Sequence, residues 1–157
     1  MALLPALEGV PNASQPLPHL LTAGQPGPDH LAALRQAGAE VVLDIRDPME
    51  PRPFDEPATA RGLGLEYVNV PVRQGALDDA MMDSVLAALR ASAGNGRATL
   101  LHCASANRTG GPLIAYLMLD HGMPEDEAVE TAMRGGLRGV DVMEWGIDYA
   151  RRKAGGA

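Results

Sequence analysis

The chain has 157 residues, of which 46% are hydrophobic and 21% are charged, and its formal net charge at pH 7 is −7. This length predicts a single domain that buries about 70% of the surface exposed by its unfolded chain. The acidic balance argues against nucleic-acid binding and against docking on anionic membranes, and no apolar run approaches the roughly 18 residues of a membrane span.

The first part of the chain alternates strand and helix patterns. The proline-rich residues 1–18 predict an extended N-terminal arm. A short strand is expected over residues 20–22, followed by a helix that begins at Gly27 and ends at Gly38. The apolar, β-branched residues 41–45 predict a buried strand.

The middle of the chain continues this alternation. Residues 48–64 hold four prolines and predict a long irregular loop with a short helix near residues 58–61. A strand is expected over residues 65–72. Asp78 or Asp79 then caps a helix whose apolar residues repeat at helical spacing, namely Met82, Val85, Leu86 and Leu89.

The last part predicts one more strand and three helices. Residues 98–101 form a short apolar strand, and residues 110–120 form a mostly apolar helix with Pro112 in its first turn. A helix opens at Pro124, and a final helix begins at Asp141 and buries Met143, Ile147 and Ala150. Residues 154–157 predict a flexible tail.

These elements predict an α/β domain over residues 19–153. Its central, parallel-rich sheet has four to five strands and carries helices on both faces. Anion sites in such sheets lie at the carboxyl ends of the strands. Cys103 follows directly after a predicted strand and therefore lies at such an end.

The segment from residue 102 to residue 110 turns from a strand into a helix. The backbone N–H groups of such a bend, together with the positive end of the helix, attract an oxyanion. Arg108 adds a planar fork of donors that matches two oxygens of a phosphate or sulfate. The predicted substrate-binding residues of this segment are His102, Ala104, Ser105, Ala106, Asn107, Thr109 and Gly110.

Cys103 is the only cysteine of the chain and is predicted to be its nucleophile. The positive field of the bend favours the thiolate, the reactive form of a cysteine. We expect the Thr109 hydroxyl to donate to the sulfur, and His102 to organise the loop through hydrogen bonds.

The lone cysteine also bears on compartment and cofactors. It cannot form a disulfide within the chain, which favours a reducing compartment and predicts a cytoplasmic protein. His19, His30 and His121 lack thiol or carboxylate partners at metal-ligand spacing, so no metal or other cofactor is expected. The expected partner is a small anionic substrate.

The motif His102-Cys103, a short loop and Arg108-Thr109-Gly110 resembles the signature of cysteine-dependent phosphatases of the protein tyrosine and dual-specificity type. Those enzymes place five residues between the cysteine and the arginine, whereas this chain has four. Four is the spacing in rhodanese-type sulfurtransferases, and it also resembles the beta-lactamase-hydrolase-like branch of phosphatase-like domains. The likeness to that branch extends through Gly24-Gln25-Pro26 and the strands near residues 41–46 and 66–72.

This resemblance implies a hydrolase that cleaves phosphomonoesters through a cysteinyl-phosphate intermediate. It also implies a general acid on the loop after the preceding strand, where this chain has Arg73-Gln74. Further along that loop, Asp78 and Asp79 are candidates for the acid, although both also suit helix capping.

Another strand end offers further charged residues. Asp44 and Asp47 are alternative acids, and an Arg–Asp pair at the border of a loop is more often structural. The resemblance also implies that Arg46 lines the substrate pocket.

Two other functions remain open from the sequence. In a rhodanese-type sulfurtransferase, Cys103 would carry sulfur as a persulfide. The tighter loop and the similarity of residues 44–50 to a rhodanese segment favour this alternative, but the Gly-His-Ile piece that normally follows is missing. The third possibility is a non-catalytic module that binds an anion or a phosphate.

Overall fold

The computed structural model describes residues 2–155, so Met1, Gly156 and Ala157 lie outside the described residues. The described strands are β1 Ser14–Leu17, β2 Leu20–Ala23, β3 Val41–Asp44, β4 Glu66–Asn69 and β5 Thr99–His102. The described α-helices are α1 Pro28–Ala37, α2 Glu56–Gly62, α3 Asp79–Ala91, α4 Gly110–His121, α5 Glu125–Arg134 and α6 Val140–Gly155.

The five strands form one mixed sheet in the order β1-β2-β5-β3-β4. Strands β2, β5, β3 and β4 are parallel, and β1 pairs with β2 in the antiparallel direction. The register aligns Ala23 with His102, His102 with Asp44, and Asp44 with Asn69. The carboxyl ends of the four parallel strands therefore meet at one edge, where the predicted site lies.

Helices cover both faces of the sheet, as the apolar strands predict, because a strand buried on both sides reads as a continuous apolar run. Leu20, Leu43 and Leu101 pack towards α3, α4, α5 and α6. Their neighbours on the opposite face, which include Leu21 and Leu100, pack towards α1 and α2. The predicted α/β class and the predicted number of strands are confirmed.

Helices α4 and α6 approach each other closely at two glycines. A Cβ added to Gly146 would lie 2.5 Å from the carbonyl oxygen of Gly111, and a Cβ added to Gly111 would lie 2.6 Å from the Trp145 ring. Real Cβ atoms do not come this near to such atoms, so both positions require glycine. This contact holds the start of α4, and with it the loop that precedes α4.

The predicted N-terminal arm is a folded part of the domain, which corrects the prediction of an extended segment over residues 1–18. Residues Leu4–Leu7 form a 3-10 helix, and β1 joins the sheet. Leu3 and Leu7 are buried against the α1 side of the core. Their apolar side chains make this segment pack, although its prolines disfavour regular secondary structure.

Three further details differ from the prediction. Strand β4 ends at Asn69 rather than at residue 72, although the N–H groups of Val70 and Val72 still donate to the carbonyls of Asp44 and Ile45. Helix α6 buries Val142 and Tyr149, whereas Met143 and Ile147 are only partly buried. Of the predicted tail, residues 154 and 155 continue α6, and the last two residues lie outside the described part.

Within residues 2–155, no helix combines the length and the apolar character needed to cross a membrane.

Candidate active site

The loop between β5 and α4 turns its carbonyl groups away from its centre. The Ala104 carbonyl accepts from the Gln25 N–H at 3.0 Å, and the Ser105 carbonyl accepts from the Asn12 side chain at 2.9 Å. The Ala106 carbonyl accepts from the Thr109 hydroxyl at 2.8 Å. These bonds hold the four-residue turn in a single conformation.

The N–H groups of the same loop are free of protein partners. Among the described residues 2–155, no protein acceptor takes a hydrogen bond from the backbone N–H groups of residues 104–109. Ala106 has a φ of 74°, in the left-handed region that residues with a Cβ rarely adopt. Free amides around a strained turn at a helix start form the kind of cradle that binds an oxyanion.

Cys103 lies at the base of this loop with no solvent-exposed surface. Its backbone N–H donates to the Ala23 carbonyl, which continues the parallel pairing beyond β5. Arg108 is also largely buried, and its pKa is raised first by the hydrogen bond to Glu50 and further by the nearby Cys103 side chain. The nucleophile and the arginine predicted from the motif are therefore brought together.

Arg108 makes its main contact with a carboxylate that the sequence motif does not include. Its Nη1 lies 2.6 Å from Glu50 Oε2, and its Nη2 lies 2.8 Å from Glu50 Oε1. Nη1 also donates to the Val72 carbonyl at 3.3 Å. The hydrogen bond from Arg108 is the main reason why the pKa of Glu50 is lowered to about 2, so Glu50 is an anion at neutral pH.

His102 lies behind the loop and is fully buried. Its Nδ1 is 3.1 Å from the Cys103 carbonyl oxygen, and its Nε2 is 2.5 Å from Glu56 Oε2. Glu56 is the first residue of α2 and is itself 1% exposed. The other Glu56 oxygen accepts from Gln25 Nε2 at 2.7 Å.

Asp44, at the end of β3, completes this buried group of charges. It accepts from the Tyr67 hydroxyl at 2.6 Å and from the Arg46 N–H at 2.9 Å, and Arg52 lies 3.5 Å away. Donor atoms of Asp44, Glu56 and His102 lie within 4.8 Å of one another. Each of them already has a hydrogen-bond or ionic partner from the protein, so this geometry describes a satisfied polar network rather than a metal centre.

An open cavity of about 600 Å³ lies over Arg108. Asp47, Glu50 and Arg73 are among the residues that line it. Arg73 Nε donates to Asp47 at 2.7 Å, and the Arg73 side chain is 59% exposed. The hydrogen bond from the Met49 N–H, followed by that from Arg73, lowers the pKa of Asp47.

The structure does not bring the predicted acids Asp78 and Asp79 to this cavity. Asp78 is the N-cap of α3 and accepts from the Met81 N–H at 2.8 Å. Asp79 pairs with Arg152 of α6, at 2.6 and 2.8 Å, beside a different cavity. The contact of Asp78 agrees with the capping alternative, whereas Asp79 forms an ion pair.

Arg46 also differs from its predicted role as a lining residue of the pocket. Its side chain is 7% exposed and donates to the Pro51 carbonyl at 2.6 Å and to the side chain of Gln25. It therefore anchors the loop between β3 and α2, which carries Glu50.

The remaining predicted residues lie in the loop, with some changes of partner. The Thr109 hydroxyl donates to the Ala106 carbonyl rather than to the sulfur, which corrects the predicted contact. The Asn107 side chain accepts from the N–H groups of Arg138 and Gly139, and so ties the loop to the segment before α6. Gly110, the first residue of α4, packs closely against Leu137.

The sequence reasoning did not single out three residues that hold the site together, namely Asn12, Glu50 and Glu56. They lie 93, 58 and 46 residues from their partners in or beside the loop. The only signal available for the two glutamates was their position in the loop after a strand end, since no local pattern links them to Cys103 or Arg108.

No family model and no curated protein matches this chain. Solved structures do resemble it. A candidate phosphatase of the DUF442 group from Shewanella putrefaciens CN-32 superimposes with a TM-score of 0.82 and 20% identity, over 95% of this chain and 97% of that chain. P. aeruginosa TpbA gives a TM-score of 0.71 and 25% identity, over 92% and 85% of the two chains.

A third similar structure is that of PTPMT1 in complex with PI(5)P. It gives a TM-score of 0.77 and 16% identity, over 92% of this chain and 99% of that chain. TpbA has also been solved as a cysteine-to-serine variant in complex with phosphotyrosine. The fold of this chain is thus a phosphatase fold.

Proposed function

We propose that this protein is a cysteine-dependent phosphatase that hydrolyses small phosphomonoesters. The observation that carries the proposal is the set of backbone amides of residues 104–109, which follows Cys103 in the turn from β5 to α4 and includes the amide of Arg108. Within the described residues, those six amides have no protein acceptor. Such an array suits an oxyanion beside a nucleophilic sulfur.

The proposed reaction has two displacements at phosphorus. The Cys103 thiolate attacks the phosphorus atom, and the bond from phosphorus to the leaving oxygen breaks. Water then attacks the same phosphorus, the S–P bond breaks, and phosphate leaves with the thiolate regenerated. In both steps the loop amides and Arg108 stabilise the negative charge on the equatorial oxygens.

The leaving oxygen needs a proton, and we assign this role to Asp47. It is one of two carboxylates in the cavity over Arg108, and the other, Glu50, is held as an anion by its ion pair. In the resting state the hydrogen bond from the Met49 N–H, and then that from Arg73, lowers the pKa of Asp47. The negative charge of a bound phosphate beside Asp47 acts in the opposite direction and favours the protonated carboxyl.

Substrate entry requires the loop between β3 and α2 to move. Cys103 has no exposed surface, and Glu50 holds the outer nitrogens of Arg108. A phosphate with two negative charges competes with the single charge of the Glu50 carboxylate for this guanidinium. We propose that substrate binding shifts Glu50 and opens the path to the sulfur.

The substrate class follows from the site and from the neighbours. TpbA binds phosphotyrosine and PTPMT1 binds PI(5)P in their complexes, which supports a small anionic phosphate ester here. A soluble, cytoplasmic setting without nucleic-acid or membrane partners stays a prediction of the sequence.

Two assays test this function against its rivals. Incubation with p-nitrophenyl phosphate is expected to release phosphate, whereas incubation with thiosulfate and cyanide is expected to yield no thiocyanate. Thiocyanate without phosphate release would favour the sulfurtransferase, for which the four-residue spacing from Cys103 to Arg108 is the supporting observation. Neither product would favour an anion-binding module.

The variant Cys103→Ser is expected to abolish phosphate release, because the less acidic hydroxyl of serine is a far weaker nucleophile here. Ser84→Ala, on the exposed surface of α3, is the matched control and should keep full activity. Turnover that survives in Cys103→Ser would refute the nucleophile assignment.

A further inference from the structure

We propose that Glu56 is a positioning residue that acts through His102 to keep Cys103 in its thiolate form. This inference rests on the proposed function of Cys103 as a nucleophile. It concerns a buried carboxylate that lies outside the loop and outside the cavity that opens over Arg108.

The geometry assigns the protons of His102. A carbonyl oxygen only accepts hydrogen bonds, so the contact between His102 Nδ1 and the Cys103 carbonyl places a hydrogen on Nδ1. The contact of 2.5 Å between Nε2 and Glu56 then holds a second proton between the ring and the carboxylate. Nothing else among the described residues approaches the ring nitrogens as closely.

The protein orients Glu56 for this contact. Its second oxygen accepts from Gln25, whose own side-chain oxygen accepts from Arg46. The position of Glu56 at the first turn of α2 adds the positive end of a helix dipole, which favours an ionised carboxylate. Glu56 therefore has a fixed geometry and two donors, as expected of a group that orients another side chain.

The pKa shifts of both partners favour the charged forms of the pair. Burial acts to lower the pKa of His102, but the hydrogen bond and charge of Glu56 outweigh it and raise that pKa. Burial likewise acts to raise the pKa of Glu56, and the bond to His102 outweighs it and lowers that pKa. The imidazole ring of His102 contacts the Cys103 carbonyl oxygen through Nδ1, and Glu56 lies at the other ring nitrogen, Nε2.

This pair belongs to a larger group of charged side chains around the site. In the described structure, the group consists of four cations and three carboxylates that contact one another, namely His102, Arg46, Arg52 and Arg108 with Asp44, Glu50 and Glu56. Tyr67 also faces Asp44, and burial raises the pKa of Tyr67, which keeps it neutral. The group has one positive charge in excess, which a thiolate at Cys103 neutralises.

The test titrates Cys103 through the ultraviolet absorbance of its thiolate. The chain has one cysteine, so the signal belongs to Cys103 alone. Burial raises the pKa values of Tyr67, Tyr116 and Tyr149, which keeps tyrosinate absorbance at higher pH. The measurement needs no substrate.

Glu56→Gln should raise the midpoint of thiolate formation by about one pH unit, equivalent to tenfold less thiolate below the midpoint. Glutamine keeps the size and one acceptor of glutamate but cannot hold His102 as a cation. Glu66→Gln, at a surface ion pair with Arg97, is the control and should leave the midpoint unchanged. An unchanged or lowered midpoint in a folded Glu56→Gln variant would overturn the inference.

A double-mutant cycle tests whether Glu56 acts through His102. His102→Asn should raise the midpoint by a similar amount, and Glu56→Gln should add little in that background. Independent, additive shifts would refute the route through His102. If the Glu56→Gln variant does not fold, the titration of the His102→Asn variant decides the test. An unchanged midpoint of thiolate formation in that variant would overturn the inference.

The outcomes of this test and of the phosphatase assay are separable. A shifted midpoint in a protein without phosphatase activity would support the role of Glu56 and refute the proposed function. An active phosphatase with an unshifted midpoint would refute the role of Glu56 alone.

Discussion

Glu50 and Arg108 are 58 residues apart in the sequence and form a bidentate ion pair, with N–O distances of 2.6 and 2.8 Å. The arginine belongs to the loop that follows β5, and the glutamate belongs to the loop that follows β3. Parallel strands bring these two loops together at one edge of the sheet. The anion that a buried arginine at a helix start requires is therefore supplied, in the resting state, by the protein itself.

This pair predicts a pH dependence of stability. The pKa of Glu50 falls from 4.5 to about 2 in the folded protein. A carboxyl group whose pKa is lowered on folding stabilises the folded protein at pH values above its usual pKa. This contribution is lost as the pH falls through the pKa of the folded state. The contribution is on the order of 3 kcal/mol and should disappear between pH 4.5 and about 2.

Urea unfolding of the wild type and of Glu50→Gln measures this contribution. The difference in unfolding free energy between the two proteins should be constant near neutral pH and should shrink in the acidic window. Glu130→Gln, at an exposed pair on α5, should differ little from the wild type throughout. A difference for Glu50→Gln that is independent of pH would contradict the prediction.

Arg108→Lys tests the need for the guanidinium fork. Lysine keeps the charge but cannot bind two oxygens with paired, planar donors. We expect kcat to fall about 10²- to 10³-fold for p-nitrophenyl phosphate, in line with the loss of a transition-state donor. Steady-state kinetics measure this, and Arg134→Lys on the surface of α5 is the control. A fall in kcat of less than about threefold would show that the positive charge alone is enough to stabilise the transition state.

Asp47→Asn tests the assigned proton donor. A substrate with a poor leaving group, such as phenyl phosphate, depends on protonation more than p-nitrophenyl phosphate does. We expect kcat for phenyl phosphate to fall about a hundredfold, and kcat for p-nitrophenyl phosphate to fall much less. The alkaline fall of the pH–rate profile, where the acid loses its proton, should also change.

Asp78→Asn and Asp79→Asn are the matched comparisons for that experiment. Asp78 caps α3 and Asp79 pairs with Arg152, so neither variant should alter the ratio of the two rates. If one of them reproduces the leaving-group dependence and Asp47→Asn does not, the proton donor lies on the α3 side.

Gly146→Ala tests the close approach of α6 to α4. The added methyl group would lie 2.5 Å from the Gly111 carbonyl oxygen, and backbone atoms cannot give way easily. We expect a loss of about 1–3 kcal/mol in unfolding free energy. Gly62→Ala in α2 is the control, because its methyl group meets open space. The free energy of unfolding of the control should be unchanged or rise by up to about 1 kcal/mol. Equal effects of Gly146→Ala and Gly62→Ala on that free energy would argue against a tight contact.

Local patterns were enough to predict the architecture. Helix α1 lies between its predicted start signal and Gly38, whose φ of 107° provides the left-handed residue that ends the helix. The four apolar residues of α3 that were predicted to share a face are all buried. These features depend on residues a few positions apart, whose side chains share a helix face or a strand face whatever the rest of the chain does.

The proline content led to the wrong prediction of an extended arm over residues 1–18. It predicts irregular backbone, which is correct for much of this segment, but it carries no information on burial. Leu3 and Leu7 pack into the core because the α1 side of the sheet would otherwise expose apolar surface. That requirement becomes visible only when the sheet is assembled.

The sequence alone determined the loop that we propose to carry the nucleophile: a lone cysteine and an arginine, separated by four residues, between a strand and a helix. Only the tertiary structure decided what surrounds them, including the pairing of Glu50 with Arg108 and of Glu56 with His102. Strand and helix patterns repeat over two to four residues, so they specify elements and their faces. The partners of a buried charge come from loops dozens of residues away, and their meeting depends on strand order and register, which no local pattern encodes.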